Sequence, residues 1–288
     1  MADLRTYRVA DFFFTTEGIT NEPANLQPFR VQEADGDILF SLEVVSKLPE
    51  APRTLLYKTP DEPGFPVIAI YTTEDGGYRI ETQPLPGKPV AGEMQVNSDF
   101  NRARMELKST QDRFAIDNSL MFLFAFSSAC KNALEMHSSV VVNDGKGYMF
   151  LGKSGTGKST HTRLWLNHIP GSFLLNDDNP VIRVGDDGIA RVYGSPWSGK
   201  TPCYKAMDAP IGAIVQLSQA PHNSIHKLNP IQAYATLMGS ASSFRPLKKL
   251  ADGWHHTMDL LASGTAFYHL ECLPDEAAAQ LSFKTIHV

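Results

Sequence analysis

The sequence predicts an α/β protein in which a β-rich N-terminal domain, residues 1–115, precedes a mixed α/β domain, residues 116–288. Three observations support this prediction. The first domain carries short β-like runs separated by turn residues, the second alternates strand-like and helix-like segments, and a glycine-rich loop joins a strand to a helix near residue 155.

The composition is that of a globular protein, since 42% of the residues are apolar and 20% are charged. No run approaches the roughly 18 apolar residues of a membrane helix, and the N-terminus lacks a signal-peptide pattern. We therefore expect a cytoplasmic protein with no membrane partner. The net charge of -5 argues against a nucleic-acid partner, because phosphate-backbone binding needs a broad positive field. Three widely spaced cysteines are expected to be reduced thiols.

The N-terminal domain is expected to be antiparallel β. Pro-Gly and Gly-Gly breaks separate its β-like runs, which are residues 7–14, 37–45, 66–73, 78–83 and 102–107. No motif in this domain indicates a role.

The second domain is expected to begin with a helix at residues 117–136, with Asp117 as its N-cap. The expected strands are residues 138–143, 148–151, 172–175, 181–184, 189–193, 213–216 and 266–270. The further expected helices are residues 158–168, 230–238, 246–261 and 274–281.

The strongest functional signal is the loop between the strand at 148–151 and the helix at 158–168. Its sequence is Gly152-Lys153-Ser154-Gly155-Thr156-Gly157-Lys158-Ser159-Thr160. The glycines allow the backbone to turn its N–H groups towards an anion. Lys158 would contact the β- and γ-phosphates, Ser159 would bind Mg²⁺, and the helix would present its positive end. The loop thus predicts binding of ATP, or another nucleoside triphosphate, with Mg²⁺. A chance match is the alternative, but the flanking strand and helix favour function.

Two adjacent aspartates, Asp177 and Asp178, end the strand that follows this helix. The interval after Lys158 accommodates a helix and a short connection, so the strand can return beside the loop. In phosphoryl transfer one carboxylate holds Mg²⁺ and another accepts the proton of the attacking hydroxyl. Because successive strand residues point in opposite directions, only one carboxylate is expected to face the metal. A simple turn is the alternative for this Asn-Asp-Asp-Asn-Pro sequence.

These segments resemble the catalytic domain of HPr kinase/phosphorylase, and the same segments are similar to the nucleotide domain of phosphoenolpyruvate carboxykinase. The resemblance rests on residues 136–141, 150–159 and 174–178, in that order and spacing, and more weakly on residues 266–277. It implies that the second domain has the fold shared by those enzymes. It also implies a possible homo-oligomer, since HPr kinases assemble into hexamers.

The resemblance further implies roles for individual residues. His137 would line the active site, and Lys158 and Ser159 would hold phosphate and Mg²⁺. Asp177 would be the base, with Asp178 supporting the metal and the geometry.

The sequence departs from the family pattern at two positions. Thr160-His161 replaces the acidic residue after Gly-Lys-Ser, and Ser138 replaces the glycine after the active-site histidine. We therefore expect an ATP- and Mg²⁺-dependent kinase that acts on a hydroxyl other than that of HPr, on a protein serine or a small molecule. A catalytically silent nucleotide-binding regulator or scaffold is the alternative, and a carboxykinase-type decarboxylation ranks third.

The segment 194–205 has the composition of a loop, and loops often carry binding residues. Trp197 could stack on a base or cap the acceptor pocket, and Lys200 could neutralise the transferring phosphate. An ordered connection with exposed lysines is the alternative.

Overall fold

The chain forms two compact units in a computed structural model that describes residues 3–109, 112–199, 201–242 and 244–287. One unit comprises Met1–Ser128 with Phe244–Lys248, and the other comprises Ala129–Ser243 with Lys249–Val288. Both units contain a large mixed sheet, so the fold class is mixed α/β.

The first unit is a nine-stranded sheet with one long helix among its described residues. Its strands are β1 (Arg5–Val9), β2 (Phe12–Glu17), β3 (Arg30–Val31), β4 (Ile38–Val45), β5 (Arg53–Lys58), β6 (Val67–Thr73), β7 (Tyr78–Gln83), β8 (Gly92–Val96) and β9 (Arg102–Leu107). A short 3-10 helix spans Gln27–Phe29, and helix α1 spans Asp112–Ser128. The strand order is β3-β1-β2-β4-β9-β8-β7-β6-β5.

The sequence predicts an antiparallel sheet for the first unit, but the observed sheet contains both parallel and antiparallel pairs. Strand β4 runs parallel to both β2 and β9. The single strand expected at residues 7–14 is two strands, because Ala10 and Asp11 adopt positive φ angles and reverse the chain between β1 and β2. Strand β5 has no counterpart in the prediction because both of its faces are largely exposed, which removes the apolar alternation that marks a strand.

Helix α1 also differs from its prediction. It includes Asp117 in its interior, so this residue is not the N-cap, and its carboxylate accepts a hydrogen bond from Asn25 Nδ2 at 3.0 Å. The helix ends at Ser128 rather than at residue 136. It contacts β4, β7 and β8, which is why it belongs to the first unit and why the unit boundary lies after residue 128 rather than after residue 115.

The second unit holds the remaining elements, except that Lys248, the first residue of helix α4, belongs to the first unit. Its strands are β10 (Ala133–Glu135), β11 (Ser138–Asn143), β12 (Lys146–Leu151), β13 (Phe173–Asp178), β14 (Val181–Val184), β15 (Ala190–Tyr193), β16 (Asp208–Gln219), β17 (Ser224–Lys227) and β18 (Phe267–Cys272). Its helices are α2 (Lys158–His168), α3 (Pro230–Ser240), α4 (Lys248–Gly264) and α5 (Glu276–Ile286). The bounds of β11, β14 and α2 are those that the sequence predicts.

The strand directions in the second sheet determine where functional groups gather. Strand β11 lies between β12 and β13 and is antiparallel to both, so β12 and β13 run in the same direction. Strand β16 is parallel to β12, and β18 is parallel to β16. The carboxyl ends of β12, β13, β16 and β18 therefore meet at one edge, where ligands of α/β proteins characteristically bind.

Helices α2 and α5 cover one face of this sheet. Trp165 of α2 is fully buried, and its ring lies 5.1 Å from Tyr148, 5.5 Å from Phe150 and 5.5 Å from Phe283 of α5. Burial of one side chain such as Phe150 contributes roughly 1.5–3 kcal/mol, so this cluster holds α2 against the sheet.

Among the described residues, no helix combines the length and the apolar character that crossing a membrane would require.

Candidate functional site

Strand register brings the glycine loop and the paired aspartates together. Ser138, at the start of β11, lies opposite Leu151 on one side and Asp178 on the other. Leu151 is the last residue of β12, and the glycine loop follows it directly. The loop and the acidic end of β13 thus emerge at the same level of the sheet, on either side of one strand.

The backbone of the loop requires its glycines. Gly155 and Gly157 have φ angles of 82° and 106°, in a region that side chains disfavour. A Cβ atom on Gly152 would lie 2.5 Å from Thr156 Oγ1. Lys153 and Ser154 are exposed at the outside of the loop.

Gly157 is the N-cap of α2 and, having no side chain, it leaves the helix without a side-chain cap. The first amides of an α-helix have no carbonyl partner within the helix. They and the positive end of the helix dipole form a favourable environment for an anion.

Lys158 folds back across the loop. Its Nζ donates to the carbonyl of Gly152 at 2.8 Å and approaches that of Lys153 at 3.4 Å, and the residue is only 9% exposed. Burial lowers the pKa of Lys158, and the nearby carboxylates of Asp178 and Asp177 oppose that shift. A bound polyphosphate would favour the charged form in the same way as these carboxylates.

Asp177 faces the start of α2. Its Oδ1 accepts a hydrogen bond from Ser159 Oγ at 2.9 Å, and the residue is 8% exposed. The amide of Gly199 donates to the Asp177 carbonyl at 2.7 Å, which holds the end of β13 in place. A hydroxyl and a carboxylate beside a loop that could bind phosphate are oxygen ligands of the kind that Mg²⁺ prefers.

Asp178 has a different partner. Its Oδ1 lies 3.0 Å from His137 Nδ1, and both side chains are partly open to solvent. Asp178 has a φ angle of 152°, which is unusual for a residue other than glycine. Such strained conformations cluster at functional sites. The two adjacent carboxylates thus have different partners, Ser159 for Asp177 and His137 for Asp178. This agrees with the alternation of side chains along a strand.

Other polar residues, which the sequence does not single out, support this arrangement. Ser139 Oγ lies 2.7 Å from Thr162 Oγ1, and Thr162 donates to the carbonyl of Lys158 at 3.0 Å, so these two residues tie α2 to β11. Asn176 is buried and donates to Ser195 Oγ at 3.2 Å. Isolated serines, threonines and asparagines carry no motif, so only their contacts in the fold identify them.

In the segment 194–205, Trp197 is buried and hydrogen-bonded to the strand beside it, which agrees with the alternative of an ordered connection. This residue is 5% exposed, and its carbonyl accepts from Asn176 Nδ2 at 3.3 Å. A side chain so deeply buried has little surface for stacking on a base. Lys200 lies outside the described residues.

The donor set fits a phosphate-bound Mg²⁺ better than a cation held by protein alone. Among the described residues, no group of three or more His, Cys, Asp and Glu side chains is placed to hold a metal. Mg²⁺ is commonly bound through one or two carboxylates together with substrate phosphates. Asp177 and Ser159 supply that smaller set.

No protein-family model and no curated protein matches the chain. Among solved structures, the chain is similar to the Hpr(Ser) kinase/phosphatase from Coxiella burnetii, with 9% sequence identity and a TM-score of 0.31. The match covers 53% of this chain and 88% of that chain.

Proposed function

We propose that this chain is an ATP- and Mg²⁺-dependent phosphotransferase whose acceptor is a hydroxyl on a protein serine or a small molecule. One observation supports the proposal above all: the two adjacent carboxylates at the end of β13, which lie beside the start of α2, have different partners. Ser159 donates to Asp177, whereas Asp178 pairs with His137. Phosphoryl transfer to a hydroxyl needs both a metal-binding carboxylate and a proton acceptor.

The contacts favour one allocation of these roles. Asp177 and Ser159 would hold Mg²⁺, because they already share a hydrogen bond beside the phosphate loop. Asp178 would accept the proton, because it is the more exposed carboxylate and His137 orients it. This allocation reverses the one that the family resemblance implies, in which Asp177 is the base.

In the proposed reaction, the acceptor oxygen bonds to the γ-phosphorus as the bond from phosphorus to the β–γ bridging oxygen breaks. The hydroxyl proton passes to the Asp178 carboxylate, and ADP leaves with the bridging oxygen. Lys158 and the first amides of α2 balance the negative charge on the phosphates. Mg²⁺, when bound, would neutralise further charge on the β- and γ-phosphates. Positioning and charge neutralisation thus supply most of the catalysis.

The test is turnover of γ-labelled ATP by purified protein with Mg²⁺, measured as transfer to offered hydroxyl acceptors and as hydrolysis. Asp178→Asn should retain ATP binding and lose turnover by about 10²–10⁴-fold, the range for general acid–base catalysis. Asp186→Asn, an exposed aspartate in the turn between β14 and β15, is the matched control and should behave as wild type.

Two outcomes would contradict the proposal. Saturable ATP binding with neither transfer nor hydrolysis would favour the silent regulator. Full turnover by Asp178→Asn would remove this residue from the role of proton acceptor.

A further inference from the structure

A cavity adjoins the glycine loop on the side of α2 away from the aspartates. Its volume is about 570 Å³, within the range of small-molecule sites. The carboxyl ends of β16 and β18 and the start of the segment after β18 form its wall, with Leu217, Ala220, Cys272 and Leu273 among the lining residues. The lining is mostly apolar, in contrast to the hydrogen-bonded acidic side.

The cavity and the phosphate loop share residues. Gly155, Thr156 and Gly157 line the cavity and also form the turn above the start of α2. Gln219, at the end of β16, donates from Nε2 to the carbonyl of Gly155 at 3.2 Å, so the cavity rim is bonded to the loop. A single ligand with a polyphosphate and a bulkier group could therefore occupy both.

Helix α2 separates the cavity from the carboxylates. Ser159 contacts Asp177, whereas Thr160, His161 and Leu164 line the cavity. Successive helix residues lie about 100° apart, so neighbouring positions can serve opposite sides. The group in the cavity would lie away from Asp178, and the end of the ligand that reacts would lie towards it.

His161 lines the cavity, but its imidazole is almost wholly buried behind the wall. The Ser282 hydroxyl donates to the Ala279 carbonyl, so it must accept from Trp165 Nε1 at 2.9 Å and from His161 Nε2 at 3.1 Å. That assignment places the proton of the neutral ring on Nε2. Nδ1 is then a buried acceptor for which no described residue supplies a donor, in a residue only 3% exposed.

We infer that this cavity binds the nucleoside part of the triphosphate, with its base against Leu217, Cys272 and Leu273. The inference rests on the proposed function. It assigns a binding site to the nucleoside, the part of ATP that the phosphate loop would not contact. An apolar cavity beside an anion site suits a flat, weakly polar ring joined to phosphates. The cavity is a poor acceptor site, because α2 lies between it and Asp178.

The first test compares ATP with inorganic tripolyphosphate by calorimetry. Wild type should bind ATP at least about tenfold more tightly, a difference of about 1.4 kcal/mol. Ala220→Trp fills the cavity and should abolish that preference while tripolyphosphate still binds. Ile231→Trp, at an 83% exposed position on α3, is the matched control and should retain the preference. Equal binding of the two ligands by wild type, or an unchanged preference in Ala220→Trp, would overturn the inference.

The second test uses unmodified protein, so it holds even if Ala220→Trp fails to fold. ATP should slow alkylation of Cys272, while tripolyphosphate should not. Cys130 is exposed and does not line the cavity, so its alkylation is the internal control and should not change. Burial raises the pKa of the Cys272 thiol, so the reaction is best followed at mildly alkaline pH. Equal protection by both ligands, or by neither, would overturn the inference.

These tests separate the inference from the proposed function. If wild type binds tripolyphosphate and ATP equally, the phosphate loop stands and the cavity assignment fails. If wild type binds neither ligand, both fail together.

Discussion

The two sides of the first turn of α2 are built differently. On the acidic side, Ser159, Asp177, Asp178 and His137 form short polar contacts at the ends of antiparallel neighbours. On the cavity side, the lining at the ends of the parallel strands β16 and β18 is mostly apolar, and no Asp or Glu among the described residues lines the cavity. Under the proposed function, the cavity side would bind the nucleoside and the acidic side would take part in phosphoryl transfer.

The largest effect on ligand binding is expected from Lys158→Ala, because the proposed contact of Lys158 with the phosphates would serve both sides. Loss of this partly buried charge should weaken ATP and tripolyphosphate alike by about 10²–10³-fold. Calorimetry measures both, and Lys131→Ala, an exposed lysine outside the loop, is the control. Loss of ATP binding alone would show that Lys158 acts through the nucleoside and not through the phosphates.

The second prediction concerns the pH dependence of stability on the cavity side. Burial lowers the pKa of His161 from 6.5 to about 4, so the folded state binds this proton less readily than the unfolded state. The stability contributed by neutral His161 is fully present above about pH 6.5 and is lost as pH falls towards 4. The loss amounts to about 3 kcal/mol in total and about 2 kcal/mol by pH 5.

Urea unfolding at pH 7.5 and pH 5 measures this effect. His161→Gln should lose about 2 kcal/mol less than wild type between the two pH values, whatever its stability at pH 7.5. Identical pH dependences in the two proteins would mean that His161 titrates alike in the folded and unfolded states.

A smaller effect is expected on the acidic side from Asp177→Asn. This change removes the charge that would hold Mg²⁺ and keeps the shape of the side chain. The Mg²⁺ concentration for half-maximal turnover should rise by about tenfold or more, while ATP binding without Mg²⁺ should change little. Asp186→Asn again serves as the control. If Asp177→Asn loses turnover at every Mg²⁺ concentration but keeps its Mg²⁺ affinity, Asp177 rather than Asp178 is the proton acceptor.

The smallest effect is expected from Gly157→Ala, at the N-cap that both sides share. Alanine at a φ angle of 106° should lower the free energy of unfolding by about 1–2 kcal/mol. Gly239→Ala is the matched control, because Gly239 lies inside α3 and an added Cβ meets no atom within 4 Å. That control should be neutral or raise stability by up to about 1 kcal/mol, since it restricts the unfolded chain. Equal effects at the two glycines would mean that the loop relaxes around alanine.

The sequence predicts local structure well where local chemistry is sufficient. Helix α2 begins at Lys158 and ends at His168, as expected from the glycines before it and Pro170-Gly171 after it. The predicted helix at 117–136 is wrong in its last part. Strand β10 forms there because Leu134 pairs with Ile182 of β14, a partner that no local pattern reveals.

Strand β16 shows the same limit. It is 12 residues long rather than the short run predicted at 213–216. Its first residues pair with β15 and its later residues with β12 and β18. The first half of β16 lacks a regular apolar pattern, so the sequence does not reveal it as a strand. It forms a strand because it pairs with β15.

The glycine loop and the pair of aspartates are determined by the sequence alone, because backbone freedom, charge and spacing are properties of neighbouring residues. Which aspartate meets Ser159 and which meets His137 is decided by the register of β11 against β13. The cavity is likewise a tertiary feature. Leu217 and Cys272 are far apart in the chain, and they meet only because parallel strands bring their carboxyl ends to one edge of the sheet.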